Sequence, residues 1–123
     1  MKIISCFGTP FEPSFEDSFL FFEDTNELAH SYDRMLTQLQ NANKLNKCRG
    51  IIVGKIKGFN KRTNFFPNKS FTIKEVISDF ADKNNLPCFY NLNFGHVSSE
   101  LIFPIGVEAE VDFDKKTILL NRQ

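Results

Sequence analysis

The chain has 123 residues, enough for one modest domain and too few for two. Fifteen basic and fifteen acidic side chains give a formal charge of zero, which excludes the electrostatic footprint of a nucleic-acid binder. Hydrophobic residues at 41% supply a core, yet no apolar run approaches membrane-spanning length, and residues 1–7 are too short an apolar stretch for a secretory signal; a cytoplasmic location with no membrane partner is expected.

Cys6, Cys48 and Cys88 are odd in number, far apart and without a C-x-x-C pair. That pattern argues against a disulfide framework and against a zinc site, so reduced thiols and no metal or other cofactor are expected. Fifteen phenylalanines with no tryptophan, among many Asn, Lys and Ile, read as codon bias and core filler. Lys55–Lys57 with Lys61 and Arg62 is broken by Ile56, Gly58 and Phe59, and reads as a solvated loop.

In chain order, the prolines of Gly8-Thr9-Pro10 and Glu12-Pro13-Ser14 mark a loop. Phe19–Phe22 is a short apolar run that fits a buried strand. It ends in Glu23-Asp24-Thr25-Asn26, where Asp24 or Thr25 is expected to cap the following helix, with Glu27 in its first turn. Leu28, Tyr32, Met35, Leu36 and Leu39 recur at helical spacing and form one apolar stripe, with His30 on the surface. Gly50-Ile51-Ile52-Val53-Gly54 is a β-branched run bounded by glycines, a second buried strand. Residues 55–70 are a polar loop. Thr72-Ile73-Lys74-Glu75 reads as a capping box, flanked by Phe71 and Val76 at staple positions, and Ile73, Val76, Ile77 and Phe80 give the helix its apolar face. Pro87-Cys88-Phe89-Tyr90 begins a third strand. Val107, Ala109, Val111 and Phe113 alternate with acidic residues, a half-exposed strand; Asp114-Lys115-Lys116 turns the chain, and Thr117–Leu120 returns as its hairpin partner. The order strand–helix–strand–helix–strand predicts an α/β fold, with a short parallel sheet, two helices and a C-terminal antiparallel hairpin.

Ligands of open α/β sheets gather beyond the carboxyl ends of the parallel strands. Two reactive groups fall there: Glu23 after the first strand, and His96 in Phe94-Gly95-His96 after the third. A neutral imidazole accepts a proton from a nucleophile when a carboxylate holds its other nitrogen, so Glu23 and His96 form such a pair if their loops open on one edge. The plainer alternatives are a solvated strand-end carboxylate and a polar loop histidine. Glu27 and Glu100 are rival partners for His96. Ser98 and Ser99 have no G-x-S-x-G elbow around them, and Cys88 reads as buried and inert, so the chain offers no evident nucleophile.

The same residues carry a family resemblance. The run from Ser18 to Glu27, followed by Tyr32–Leu39, resembles the segment of LD-carboxypeptidases that holds the triad glutamate and its following helix. Gly50–Lys55 resembles that family's glycine-bounded strand. Leu86-Pro87, Phe94-Gly95-His96 and Phe103-Pro104-Ile105-Gly106-Val107 resemble its C-terminal signature around the triad histidine, and the likeness spans roughly Gly8 to Leu120. The Glu-Asp pair and the Gly-Lys ending lean toward the branch that includes microcin C immunity carboxypeptidases.

The resemblance implies a swivelling β/β/α-type domain over 18–123, with 1–17 as the remnant of an inter-domain connection. It implies that Glu23 is the orienting acid and His96 the general base of a Ser-His-Glu triad. The serine and oxyanion-hole amides would belong to an N-terminal domain that is not in this sequence. The implied reaction is hydrolysis of an amide in L,D-muropeptides or a related peptidyl conjugate. The chain is then an isolated domain, an internally started product or a disrupted-gene remnant, and apolar surface left by the missing domain would favour a homodimer. Two further readings stay open: a non-catalytic pairing module or remnant, and a small-molecule-binding α/β module in which Glu23 and His96 lie far apart.

Overall fold

A computed structural model describes residues 2–24, 27–56, 71–93, 102 and 104–121. A 3-10 turn at Lys2–Cys6 is followed by β1 (Ser18–Phe22), α1 (Ala29–Asn41), β2 (Cys48–Gly54), α2 (Ile73–Lys83), β3 (Cys88–Leu92), β4 (Ala109–Asp112) and β5 (Thr117–Leu120). β1, β2 and β3 form a parallel sheet with β2 in the middle, and β4 and β5 form a separate antiparallel hairpin. The α/β architecture expected from the element order is the one observed.

Alternation along β1 and β2 decides which layer each residue joins. Leu20, Phe22, Ile51 and Val53 turn to one face and are buried with Tyr32, Leu36 and Leu39 of α1 and Ile73, Ile77 and Phe80 of α2. Each such side chain contributes about 1.5–3 kcal/mol relative to exposure, so this face holds most of the stability. Phe19 and Phe89 turn to the other face, where Phe113 meets them. Its ring stacks on Phe89 at a centroid distance of 4.7 Å and lies 6.1 Å from Phe19. The layers are therefore helices, parallel sheet and hairpin.

Gly50, read from the sequence as a strand boundary, lies inside β2 and has a sharper role. A Cβ there would stand 2.7 Å from Cζ of Phe113 and 2.9 Å from the carbonyl oxygen of Pro87. Only a bare α-carbon lets the Phe113 ring settle on the sheet. Phe113 itself falls in the turn after β4, one residue past the strand face on which the alternation places it, and Val107 lies before β4 and is exposed. The turn is closed by the Lys115 amide donating to Asp112 Oδ1 at 2.8 Å, with Lys116 in the left-handed region at φ 57°.

The helix ends show one expectation met and one corrected. Thr72 caps α2 as a full capping box: its hydroxyl accepts from the Glu75 amide at 3.2 Å, and the Glu75 carboxylate accepts from the Thr72 amide at 2.6 Å. Phe71 nonetheless remains 69% exposed, so the flanking staple buries little. α1 starts later than expected. Leu28 occupies its N-cap without a side-chain hydrogen bond, Asp24 lies four residues earlier, and Thr25 lies outside the described residues. Glu27 consequently precedes the helix, and Leu28, placed on the apolar stripe by periodicity, is exposed.

β3, the third strand expected from Pro87 onward, lies at the edge of the sheet. It is a half-buried edge strand with Asn91 exposed. Residues 2–17 pack onto the domain: Ile3, Ile4 and Phe7 lie against the core, Phe15 is buried, and Glu12, Glu16 and Asp17 pair with Lys44, Lys47 and Arg49.

Candidate functional site

Three parallel strands open their carboxyl ends onto one edge. Phe22 pairs with Val53, and Gly54 pairs with Leu92, with an irregularity in the ladder between Ile52 and Gly54. One residue beyond Phe22, Glu23 stands level with Gly54 and hence with Leu92. Two inter-strand spacings of about 4.8 Å separate the backbones of Glu23 and Leu92 by about 10 Å. Between them Gly54 contributes no side chain. Glu23 is half-buried at this edge. His96 follows the end of β3 by four residues and lies outside the described residues, as do the rival acid Glu100 and the hydroxyls of Ser98 and Ser99. His30 is exposed on α1, as expected.

Sequence reasoning missed what lies beside Glu23. Tyr32, in the first turn of α1, is 0% exposed, with its ring 6.2 Å from that of Phe22. Burial drives its phenol far above the usual range, and the charges of Asp24, Glu27 and Glu23, in that order, push it further. Three carboxylates therefore act on one buried hydroxyl, which stays protonated at neutral pH and has no hydrogen-bond partner among the described residues. The nearby N-terminus of α1 carries the positive end of the helix dipole, which favours this concentration of negative charge. The signal available in the sequence was a tyrosine, rather than a leucine, on the apolar stripe close behind an acidic run.

Cys88 is half-buried rather than buried, but desolvation pushes its thiol up to about 12, which keeps it protonated at neutral pH. Its neighbour Tyr90 is also pushed up to about 12, first by burial, and bonds to Ser78. Cys48 is buried at the start of β2, its thiol 3.3 Å from the Ser18 carbonyl. Among the described residues no group of three or more His, Cys, Asp or Glu could hold a metal ion, and no helix is long and apolar enough to cross a membrane. A cavity of about 500 Å³ lies between sheet and hairpin, lined by Asp17, Arg49, Phe19, Ile52 and Val111. It runs along β1 from Asp17 and Ser18 to Phe21, and Glu23 is not among its lining residues.

Residues 2–111 match the LD-carboxypeptidase C-terminal domain family. The probable murein peptide carboxypeptidase of Bacillus subtilis is 31% identical over 119 residues, covering 97% of this chain and 36% of that protein. The microcin C7 self-immunity protein MccF of Escherichia coli is 27% identical over 108 residues, covering 85% of this chain and 29% of that protein. The chain thus spans about a third of the length of the curated relatives it matches. Among solved structures, muramoyltetrapeptide carboxypeptidase from Oxalobacter formigenes superposes with a TM-score of 0.74 at 24% identity over 97% of this chain and 38% of that one. Wild-type MccF superposes with a TM-score of 0.79 at 24% identity over 96% of this chain and 34% of that one. These two likenesses bear on the fold.

Proposed function

Because this chain belongs to the LD-carboxypeptidase C-terminal domain family, we propose that it supplies the acid and base of a serine carboxypeptidase, with Glu23 orienting His96. The observation that carries this reading is the level alignment of Glu23, Gly54 and Leu92 along one sheet edge. It brings the strand leading to His96 within two strand spacings of the carboxylate, across a position without a side chain.

In the complete enzyme a serine from another domain attacks an amide carbonyl while His96 takes its proton. Glu23 holds the imidazole tautomer and stabilises the imidazolium. His96 then protonates the leaving amine, and water, deprotonated by the same imidazole, hydrolyses the acyl-enzyme and frees the serine. The substrate class is an L,D-peptide of the muropeptide type or a related peptidyl conjugate. Exposed Ile102, Ile105 and Leu119 offer apolar surface for the serine-bearing domain to cover.

By itself the chain should hydrolyse nothing measurable, because an acid and a base without nucleophile or oxyanion donors leave the transition state unsupported. Supplied with a serine-bearing domain, separately made or fused ahead of Met1, it should cleave an L,D-tetrapeptide. His96→Ala should then lower kcat by about 10³-fold or more. Hydrolysis that survives this substitution would show that His96 is not the base.

A further inference from the structure

The apolar pattern of β1 does not fix its register. From Phe19 to Phe22 the strand carries only Phe and Leu, and β2 opposes it with Gly50, Ile51, Ile52, Val53 and Gly54. In a strand that alternates apolar and polar residues, a one-residue slip turns polar side chains into the core and is thereby forbidden. Here a slip of one residue, or of two, still offers Phe or Leu to both layers. Yet β1 sits in one register, with Leu20 opposite Ile51 and Phe22 opposite Val53. Glu23 is level with Gly54 only in that register.

The segment entering β1 carries the missing information. Glu12 pairs with Lys44, Glu16 with Lys47, and Asp17 with Arg49, whose Nε donates to Asp17 Oδ1 at 2.6 Å. These pairs join residues 32, 31 and 32 apart in sequence, and the ladder from Phe19 to Phe22 joins residues 31 apart (50 − 19). Acids and bases therefore run in the same order and at nearly the offset of the strands, and continue the parallel pairing beyond its amino end. The Asp17 amide, donating to the Lys47 carbonyl at 3.0 Å, lies within this stretch. A two-residue slip moves every acid about 6–7 Å along its partner and breaks all three pairs as they stand. Exposed ion pairs add little to total stability. They bear instead on the choice between registers, across which apolar burial hardly changes. We propose that Glu12, Glu16 and Asp17 with Lys44, Lys47 and Arg49 form a charge ladder that sets the register of β1 on β2. Its service to catalysis rests on the acid reading of Glu23; the ladder itself does not.

Three variants test it: Glu16→Gln with Asp17→Asn, Lys47→Glu alone, and Lys47→Glu with Glu16→Lys. Glu12 is kept because it also accepts from the Gly8 amide, and Asp17, at φ 53°, is changed only to Asn, which tolerates that conformation. NMR reads the register from backbone NOEs joining Leu20 to Ile51 and Phe22 to Val53. In the first two variants these should weaken, and NOEs of a slipped strand, Phe22 to Ile51 or Leu20 to Val53, should appear. The Leu20 and Phe22 amides should exchange roughly threefold faster or more, with Ile77 of α2 unchanged. The double charge swap should restore the parent pattern. Register NOEs undiminished in Lys47→Glu, or a loss that Glu16→Lys does not reverse, overturns the proposal. So does faster exchange spread evenly over β1 and α2, which would mean that the pairs only add stability. If the variants do not fold, the parent chain in about 1 M NaCl decides, because salt screens exposed pairs: selective loss of protection at Leu20 and Phe22 supports the ladder, and an equal response at Ile77 overturns it. No hydrolysis is measured, so failure here leaves the triad reading where it stands.

Discussion

Helices cover one face of the three-stranded sheet and a hairpin covers the other, and the two coverings differ in kind. The helix side is a continuous apolar layer in which Ile51, Val53, Leu36, Leu39, Ile73 and Ile77 are nearly or wholly inaccessible. On the hairpin side, among the described residues, the Phe113 ring is set on Gly50 between Phe89 and Phe19, with buried Ile52 on the same face and a cavity alongside. Many interlocking contacts resist any single loss by cooperativity, whereas a single-ring clamp is lost at once when its seat is filled. The domain is thus expected to hold its α/β layer rigidly and its hairpin conditionally.

The largest effect should come from the helix side. Ile77→Ala removes buried methyl groups where the packed sheet and α1 cannot collapse, and should cost about 2–5 kcal/mol, measured by urea or thermal unfolding. A cost under about 1 kcal/mol would mean that the helix layer is looser than its burial indicates. Gly50→Ala comes next. The new methyl meets both the Phe113 ring and a backbone carbonyl, so either the hairpin lifts or β2 and β3 shift, at about 1–3 kcal/mol. Amide spectra should show β4 and β5 perturbed with α1 and α2 intact. Uniform unfolding would mean that the two faces are not separable.

Thr72→Ala should cost about 1 kcal/mol by undoing the capping box of α2, a helix-side loss that leaves hairpin signals in place. The smallest effect concerns Cys88. Its folded-state thiol holds its proton up to about pH 12, against an ordinary value of 9.0. The folded state therefore binds this proton more tightly: the contribution is fully present below pH 9 and is lost as pH rises through 12. Cys88→Ala should make stability fall less steeply over that window, with Tyr90 still contributing a slope of the same sign. An unchanged alkaline slope would remove Cys88 from the account.

Legibility in the sequence followed how local each cause is. β2 was plain because a β-branched run between glycines has few other uses, and the capping box was plain because its partners lie three residues apart. The start of α1 was misplaced because acidic capping residues announce that a helix follows without fixing where it begins; here the chain travels past Asp24 and starts at Ala29. The role of Gly50 was hidden because its reason, Phe113, lies 63 residues along the chain (113 − 50). Glu23 could be singled out by its place at a strand end, and its level alignment with Gly54 and Leu92 needed the observed register. The expectation for His96 falls outside the described residues. Periodicity places Tyr32 in the core, where it lies, but says nothing of its buried hydroxyl, because an aromatic on a helix stripe reads as apolar.

The pairing of Glu23 with His96 is tested most directly by the His96 imidazole titration in the isolated chain, with and without Glu23→Gln. A neighbouring carboxylate favours the imidazolium, so the account predicts that His96 titrates at higher pH in the parent than in the variant. Identical titration curves would contradict it.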